Sequence, residues 1–286
     1  MEIIDTYPDF QLYWKKAENL PVKQQMDLWQ NIYMEKYPEL LHKQLDDWEE
    51  QEEDWKQVAA EKIFPFLPGR FEAMHVAHKN LLKYGPEIYA SAQDKLCFQS
   101  EITFVIFVGI CGAGWVTLYR GSPAILFGLE GITEYGWGTK KPLSGLVAHE
   151  IGHVAHQYWR KLYGKVKESG PWWHIYEEGF AQYCEGLIIG NSFHQTRNDK
   201  NWLKWCREHE TWLASQFLLT VKQDKPVTPF FGSWFNIEGR IETGYFLGHQ
   251  LIQELAKKMS LKEIALLDNI EQYVKPVIQR ISEKHG

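Results

Sequence analysis

Apolar residues recur at three- and four-residue steps along the first third of the chain. In residues 26–63, MDLWQNIYMEKYPELLHKQLDDWEEQEEDWKQVAAEKI, this spacing places Leu, Trp, Ile and Tyr on one face of a helix. The helical pattern continues to about Tyr89, and three prolines, Pro38, Pro65 and Pro68, divide it into several helices. The pattern therefore predicts a helical N-terminal region over residues 1–95.

The pattern changes between residues 99 and 131, where short runs rich in β-branched and aromatic residues are bounded by Gly and Pro. We predict three strands, within QSEITFVIFVG, GWVTLYRG and SPAILFGLEG. After a glycine-rich connection, helical spacing returns at about Ser144, a residue type that caps helix N-termini well. Pro171 fits the first turn of the next helix, and Gly190 fits its end.

Further helices are predicted at about 201–221 and 239–259. Together these elements predict an α+β fold that is mostly helical, with a small sheet ahead of a central helix. We expect three regions: the helical N-terminal region, a core over 96–190 that contains the small sheet and the two helices after it, and a C-terminal helical subdomain over 191–286.

Composition narrows the class of protein. The 286 residues are 44% hydrophobic and 24% charged, which is enough apolar material for a real core. The net charge is -6 and Lys and Arg form no dominant basic block, so we expect no nucleic-acid partner. The most apolar run, residues 104–115, is shorter than the roughly 20 residues that cross a bilayer, so we expect no membrane partner. Oligomeric state stays open.

The cysteines and the N-terminus indicate a compartment. Cys97, Cys111, Cys184 and Cys206 form no CxxC pair and no tight framework, so we interpret them as reduced, mostly buried thiols. A signal peptide consists of a basic segment, an apolar run and a cleavage site, and the first twenty residues lack this pattern. We expect a cytoplasmic protein.

The segment LVAHEIGHVAHQYW carries the pattern HExxH inside a predicted helix, with His149, Glu150 and His153 at its defining positions. Residues four apart in an α-helix lie on the same face about 6 Å apart along the axis, so both imidazoles can reach one tetrahedral ion. Glu150 lies beside the first ligand, where its carboxylate can take a proton from a water molecule on the metal. His156 shares this face, but a fourth protein ligand would close the site to water, so we expect it to remain outside the ligand set.

A third ligand is predicted from WWHIYEEGFAQYCEG, in the helix that begins near Pro171. Two His and one Glu form a common catalytic zinc set that leaves one position open. We assign Glu178, at the start of the string EGFA, to this place, with an ordinary acidic face of Glu177, Glu178 and Glu185 as the alternative. The expected cofactor is Zn²⁺.

HExxH followed by a helix bearing EGFA resembles the gluzincin metallopeptidases, which include thermolysin-like proteases and the zinc aminopeptidases. EGFA is similar to the NEGFA string of the aminopeptidases, although Glu177 stands where they have Asn. The late string GYFLG, residues 244–248, also resembles predicted zinc-dependent proteases of uncharacterised function. The resemblance implies a metallopeptidase-like fold: a sheet whose edge strand binds substrate, the HExxH zinc helix, and a second helix that supplies Glu.

Five further residues are candidates around such a site. Tyr245 or His249 would hydrogen-bond the oxyanion of the transition state, as gluzincins supply such a donor from a later helix, and Tyr245 is preferred. Gln182 and Glu185, one and two turns beyond Glu178, could accept the second ring N–H of a zinc-bound His, or could form an ordinary polar face. Glu130 could hold a substrate amine, as a Glu near the sheet edge does in aminopeptidases, or could be a strand-end surface carboxylate.

The sequence thus predicts a zinc-dependent hydrolase that cleaves peptide bonds of a peptide or protein substrate. Hydrolysis of another small amide, a peptidase kept latent by its N-terminal helices, and a catalytically silent zinc or peptide-binding module are the alternatives. The motif does not distinguish exopeptidase from endopeptidase action.

Overall fold

The computed structural model describes residues 1–110, 112–190, 193–197, 201–232 and 235–283. Over these residues the protein is mostly helical with one small mixed sheet, which confirms the predicted α+β class. The chain forms two compact units. The first comprises Met1–Glu87 and Glu101–Val147, and the second comprises Ile88–Ser100 and Ala148–Gly286.

The first unit holds the sheet and the N-terminal helices. Its strands are β1 (Glu2–Asp5), β2 (Thr103–Phe107), β3 (Trp115–Tyr119) and β4 (Ser122–Gly128). Its helices are α1 (Tyr7–Ala17), α2 (Val22–Leu28), α3 (Pro38–Glu50), α4 (Trp55–Val58), most of α5 (Leu67–Leu96), α6 (Leu129–Glu134) and the start of α7 (Lys140–Leu162). Short π and 3₁₀ turns at Trp29–Tyr33, Met34–Lys36, Ala59–Ile63 and Phe64–Phe66 connect the early helices.

The second unit is helical over its described residues. It contains the ends of α5 and α7, then α8 (Pro171–Ile189), α9 (Trp202–Glu208), α10 (Glu210–Lys222), α11 (Thr228–Phe231), α12 (Thr243–Leu255), α13 (Leu261–Ala265) and α14 (Glu271–Ser282). A 3₁₀ turn at His194–Arg197 follows α8.

The sheet has the strand order β1-β2-β4-β3. β1 and β4 run parallel to β2, and β3 runs antiparallel to β4. The three predicted strands are confirmed as β2, β3 and β4. Every residue of β2 is buried, as expected for a central strand covered on both faces.

β1 lies inside the region that the sequence predicted to be wholly helical, so that prediction is wrong at its start. Its four residues, EIID, are too few to show a period. Their pairing is set by β2 instead: Glu2 lies opposite Thr103, and Thr6 donates its backbone N–H to the Ile106 carbonyl at 3.0 Å. A strand specified by a partner one hundred residues away leaves little trace in local spacing.

The N-terminal helices are fixed to the strand segment by polar tips of aromatic side chains. Trp29 donates its indole N–H to the Val108 carbonyl at 3.1 Å, and Trp48 donates to the Ile110 carbonyl at 2.7 Å. Both rings are buried, so these bonds satisfy indole groups that burial would otherwise leave unpaired.

α7 begins at Lys140, four residues before the predicted cap at Ser144. Pro142 lies in the first turn of this helix, where a missing N–H costs nothing because that N–H would have no intrahelical partner. α8 begins at Pro171 as predicted, and Gly190 ends it with φ 83°, a conformation that suits glycine.

The three regions predicted from sequence do not coincide with the two units. α5 and α7 each begin in the first unit and end in the second. A boundary that falls inside a continuous helix has no signature in local composition.

Three cysteines are described, and none of these three is in a disulfide: Cys184 and Cys206 are buried, whereas Cys97 is exposed. Cys111 lies outside the described residues. Among the helices of the described ranges, none combines the length and apolar character needed to cross a bilayer.

Candidate metal centre

The two histidines of HExxH lie on one face of α7, in the part of the helix that belongs to the second unit. Their rings are 4.9 Å apart and nearly perpendicular. Between them, Gly152 faces α8. A Cβ added at Gly152 would lie 2.8 Å from the Cys184 Cβ and 3.0 Å from the Ala181 Cα. Glycine at this position therefore allows α8 to approach the ligand-bearing face of α7.

That approach brings Glu178 to the histidines. Its Oε2 lies 3.2 Å from His149 Nε2 and 3.4 Å from His153 Nε2. Ligand atoms about 2.0–2.1 Å from one tetrahedral ion lie roughly 3.3 Å from each other. The three predicted ligands are thus brought together with their ligand atoms within 4.8 Å of one another, and this group of two imidazoles and one carboxylate could hold a metal ion.

The ligand side chains shift one another's pKa values. Burial lowers the pKa of His149 to about 4, so this ring is neutral, as a metal ligand must be. Burial alone would lower the pKa of His153 as well, but the Glu178 carboxylate outweighs it and raises the pKa to about 9. Burial alone would raise the pKa of Glu178, but His153 and the hydrogen bonds from both histidines hold it well below its usual range. The proton on His153 thus offsets the negative charge of Glu178, as a bound cation would.

Glu150 is buried next to the first ligand. Burial raises the pKa of its carboxyl to about 7. The charges of His153 and His194 lower this pKa, and the charge of Glu178 raises it. It is outside the three-ligand group, as the sequence predicted for a residue that moves protons instead of binding the ion.

α12 brings Tyr245 to the same place. Its ring centroid lies 5.5 Å from that of His149 and 5.8 Å from that of Phe231. Of the two late-helix candidates, Tyr245 is therefore the one beside the metal ligands.

His249 is one turn further along α12. Its ring contacts Phe193 at 5.0 Å and Tyr183 at 5.8 Å, and it lines a cavity of about 370 Å³ together with Gln182 and Arg207. Burial, with a smaller effect of Arg207, lowers the pKa of His249 to about 4. His249 is not part of either described group of metal-binding side chains.

The predicted supporting residues Gln182 and Glu185 are both buried and bonded to each other, with Gln182 Nε2 donating to Glu185 Oε2 at 2.6 Å. The partner that sequence reasoning missed is His194. Its Nδ1 lies 2.8 Å from Glu185 Oε2, and its backbone N–H donates to Glu185 Oε1 at 3.0 Å. His194 lies in a short 3₁₀ turn after α8, where no helical spacing marks it. The only sign of it in the sequence was its position nine residues after Glu185.

His156 lies outside both described groups of metal-binding side chains. Its Nε2 lies 2.9 Å from the Tyr176 hydroxyl, and that hydroxyl donates to the Ile264 carbonyl at 2.7 Å. The ring is buried and serves the packing of α7 on α8 and α13.

Glu130 belongs to the first unit, in the first turn of α6 immediately after β4. It is only 2% exposed, so the surface alternative considered for it is wrong. Neither carboxylate oxygen has a hydrogen-bond partner at normal geometry among the described residues, and burial raises the pKa of the carboxyl to about 8.

No protein-family model, no curated protein and no solved structure matches this chain at a significant level. The function proposed below therefore depends on the residues, their geometry and the motif resemblance.

Proposed function

We propose that this protein is a zinc-dependent hydrolase of the gluzincin type that cleaves peptide bonds. His149, His153 and Glu178 would hold the metal, and Glu150 would act as general base. The observation that carries the proposal is the spacing of Glu178 Oε2 from the two imidazole Nε2 atoms, 3.2 and 3.4 Å, which fits tetrahedral zinc.

Zinc on these residues would polarise a substrate carbonyl and make a water molecule acidic near neutral pH. The chain's own task is then proton transfer. Glu150 would accept the proton of the attacking water and pass it to the leaving amine. Burial that raises the pKa of Glu150 to about 7 supports this role, because a stronger base removes the proton more readily.

Tyr245 would donate a hydrogen bond to the oxyanion that forms on the former carbonyl oxygen. The proximity of its ring to His149 supports this role. A donor beside the metal ligands stabilises charge that is present in the transition state and absent from the substrate.

We also propose a reducing, cytoplasmic location. The three described cysteines support it, because none of them is in a disulfide.

The test is cleavage of a mixed peptide library by purified protein loaded with one equivalent of zinc, with products identified by mass spectrometry. Glu150→Gln should keep zinc and fold but lose at least about 10² of the cleavage rate, the lower range for general-base catalysis. Glu177→Gln is the matched control: it makes the same change one residue away from a ligand, at a carboxylate that accepts from the Trp173 indole, and should retain activity.

Two results would contradict the proposal. Zinc and peptide binding without cleavage by the wild-type protein would indicate a silent binding module. Hydrolysis of small amides with no cleavage of any peptide would indicate a different substrate class for the same site.

A further inference from the structure

A second group of metal-binding side chains lies next to the first. The ligand atoms of His149, Glu185 and His194 are all within 4.8 Å of one another. We call this the inner group, and His149, His153 and Glu178 the outer group. Both offer two imidazoles and one carboxylate, and they share His149. All three inner side chains are buried, at 4% exposure or less.

The inner ligands are held firmly. Glu185 accepts hydrogen bonds from the Nδ1 and backbone N–H of His194 and from the Gln182 amide. Gln182 in turn accepts from the Gln195 side chain at 3.0 Å. These bonds fasten the 3₁₀ turn to α8, so Glu185 and His194 keep their mutual positions.

The shared residue has two ring nitrogens. His149 Nε2 faces Glu178, whereas His149 Nδ1 is buried and has no hydrogen-bond partner among the described residues. A metal-bound histidine almost always uses its second nitrogen for a hydrogen bond. The ring nitrogen that the outer group leaves unused is therefore available to a second cation, and the same ring belongs to the inner group.

We propose that His149, Glu185 and His194 form a second metal site that binds a divalent transition ion such as Zn²⁺ or Co²⁺, with the His149 imidazole between the two sites. The ion would replace the proton between His194 Nδ1 and Glu185 Oε2 and the proton of His149 Nδ1, and both protons would leave to solvent. The His194 to Glu185 distance of 2.8 Å would open to roughly 3.3 Å around a tetrahedral ion. Because this costs a strong hydrogen bond, the inner site should fill only after the outer one, in excess metal.

The test is a Co²⁺ titration of the full chain, followed by equilibrium dialysis with metal analysis and by the visible absorption of bound cobalt. Wild type should bind about two ions per chain in excess metal. A variant lacking the outer group, His153→Gln with Glu178→Gln, should still bind about one. Adding Glu185→Gln to that variant should weaken the remaining binding at least tenfold, whereas adding His249→Gln, a histidine on α12 outside both groups, should not.

The cobalt titration can fail without the proposed function failing. The proposed function is tested by hydrolysis with one equivalent of zinc, which depends on the outer group alone. Saturation of the wild type at one ion, unaffected by His194→Gln, would overturn the inner site. So would a folded outer-group variant, judged by circular dichroism, that binds no cobalt. If that variant does not fold, the stoichiometry of wild type against His194→Gln decides the question.

Discussion

Gly179 lies directly against Gly248. A Cβ on Gly179 would be 2.3 Å from the Gly248 carbonyl oxygen, and a Cβ on Gly248 would be 2.6 Å from the Ile175 carbonyl oxygen. Gly179 follows Glu178 in the EGFA string, and Gly248 ends the GYFLG string that holds Tyr245. One backbone contact between α8 and α12 thus sets the positions of the third ligand and of the proposed oxyanion donor.

Gly248→Ala should disrupt this contact. The new methyl group meets backbone atoms, which cannot rotate away, so the helices must move apart. Overpacking of this kind costs about 1–3 kcal/mol, and we expect a loss of that order in the free energy of unfolding, measured in urea. Gly69→Ala, in a helix where a Cβ meets nothing within 4 Å, is the control and should be neutral or stabilising. A Gly248→Ala variant as stable as wild type would show that α8 and α12 do not pack this closely.

His153→Ala should lose most of the zinc bound when one equivalent is supplied. The variant leaves two ligands in the outer group, which is too few for a catalytic zinc site. Metal analysis after dialysis measures the loss. His156→Gln, at a buried histidine of the same helix that bonds Tyr176, should keep its zinc. Full occupancy in a His153→Ala variant that also carries His194→Gln, which removes a ligand of the inner group, would refute the ligand assignment.

The closeness of His149 and His153 was predictable because both lie on one helix, where the spacing of four residues alone decides their geometry. Glu178 was predictable from its motif and from the helix limits at Pro171 and Gly190. The contact of Gly179 with Gly248 was not, although both strings had been singled out. Sequence spacing within one helix says nothing about which of its faces meets another helix.

Neither the role of His194 nor the strand β1 was predicted, for a related reason. Each is a short segment whose conformation depends on a partner distant in sequence: Glu185 on α8 for His194, and β2 for the strand. Glu130 was predicted at the end of the third strand and lies two residues beyond it, in α6. Its burial depends on tertiary packing that the strand pattern does not record.

Glu130 should make stability depend on pH. Burial raises its pKa from 4.5 to about 8 in the folded protein, so the folded state keeps its proton over a range in which the unfolded chain has lost it. Below pH 4.5 the carboxyl is neutral in both the folded and the unfolded state, so it costs no stability. Between pH 4.5 and 8 the free energy of unfolding falls by up to about 1.4 kcal/mol for each unit by which the pH rises.

Glu130→Gln removes this acid at nearly constant size. Urea unfolding at several pH values should show that the variant gains stability relative to wild type between pH 5 and 8. A difference between the two proteins that is constant over this range would mean that Glu130 titrates normally in the folded state.

Tyr245→Phe tests the proposed oxyanion donor. The oxyanion exists only in the transition state, so loss of a donor to it should lower kcat while KM and zinc content change little. Removal of one such donor costs roughly 10² to 10³ in kcat, and we expect a decrease of that order for peptide cleavage. Tyr183→Phe, at a tyrosine of α8 whose ring contacts His249, is the matched control and should stay within about threefold, since its hydroxyl has no proposed role in transition-state stabilisation.

If Tyr245 only packs against His149 and Phe231, the Phe variant will keep near-normal kcat, because the ring that makes those contacts is retained. In that case the donor must be sought among the other groups beside the outer ligands, and His194 would be the first to test, since its charge already acts on Glu150.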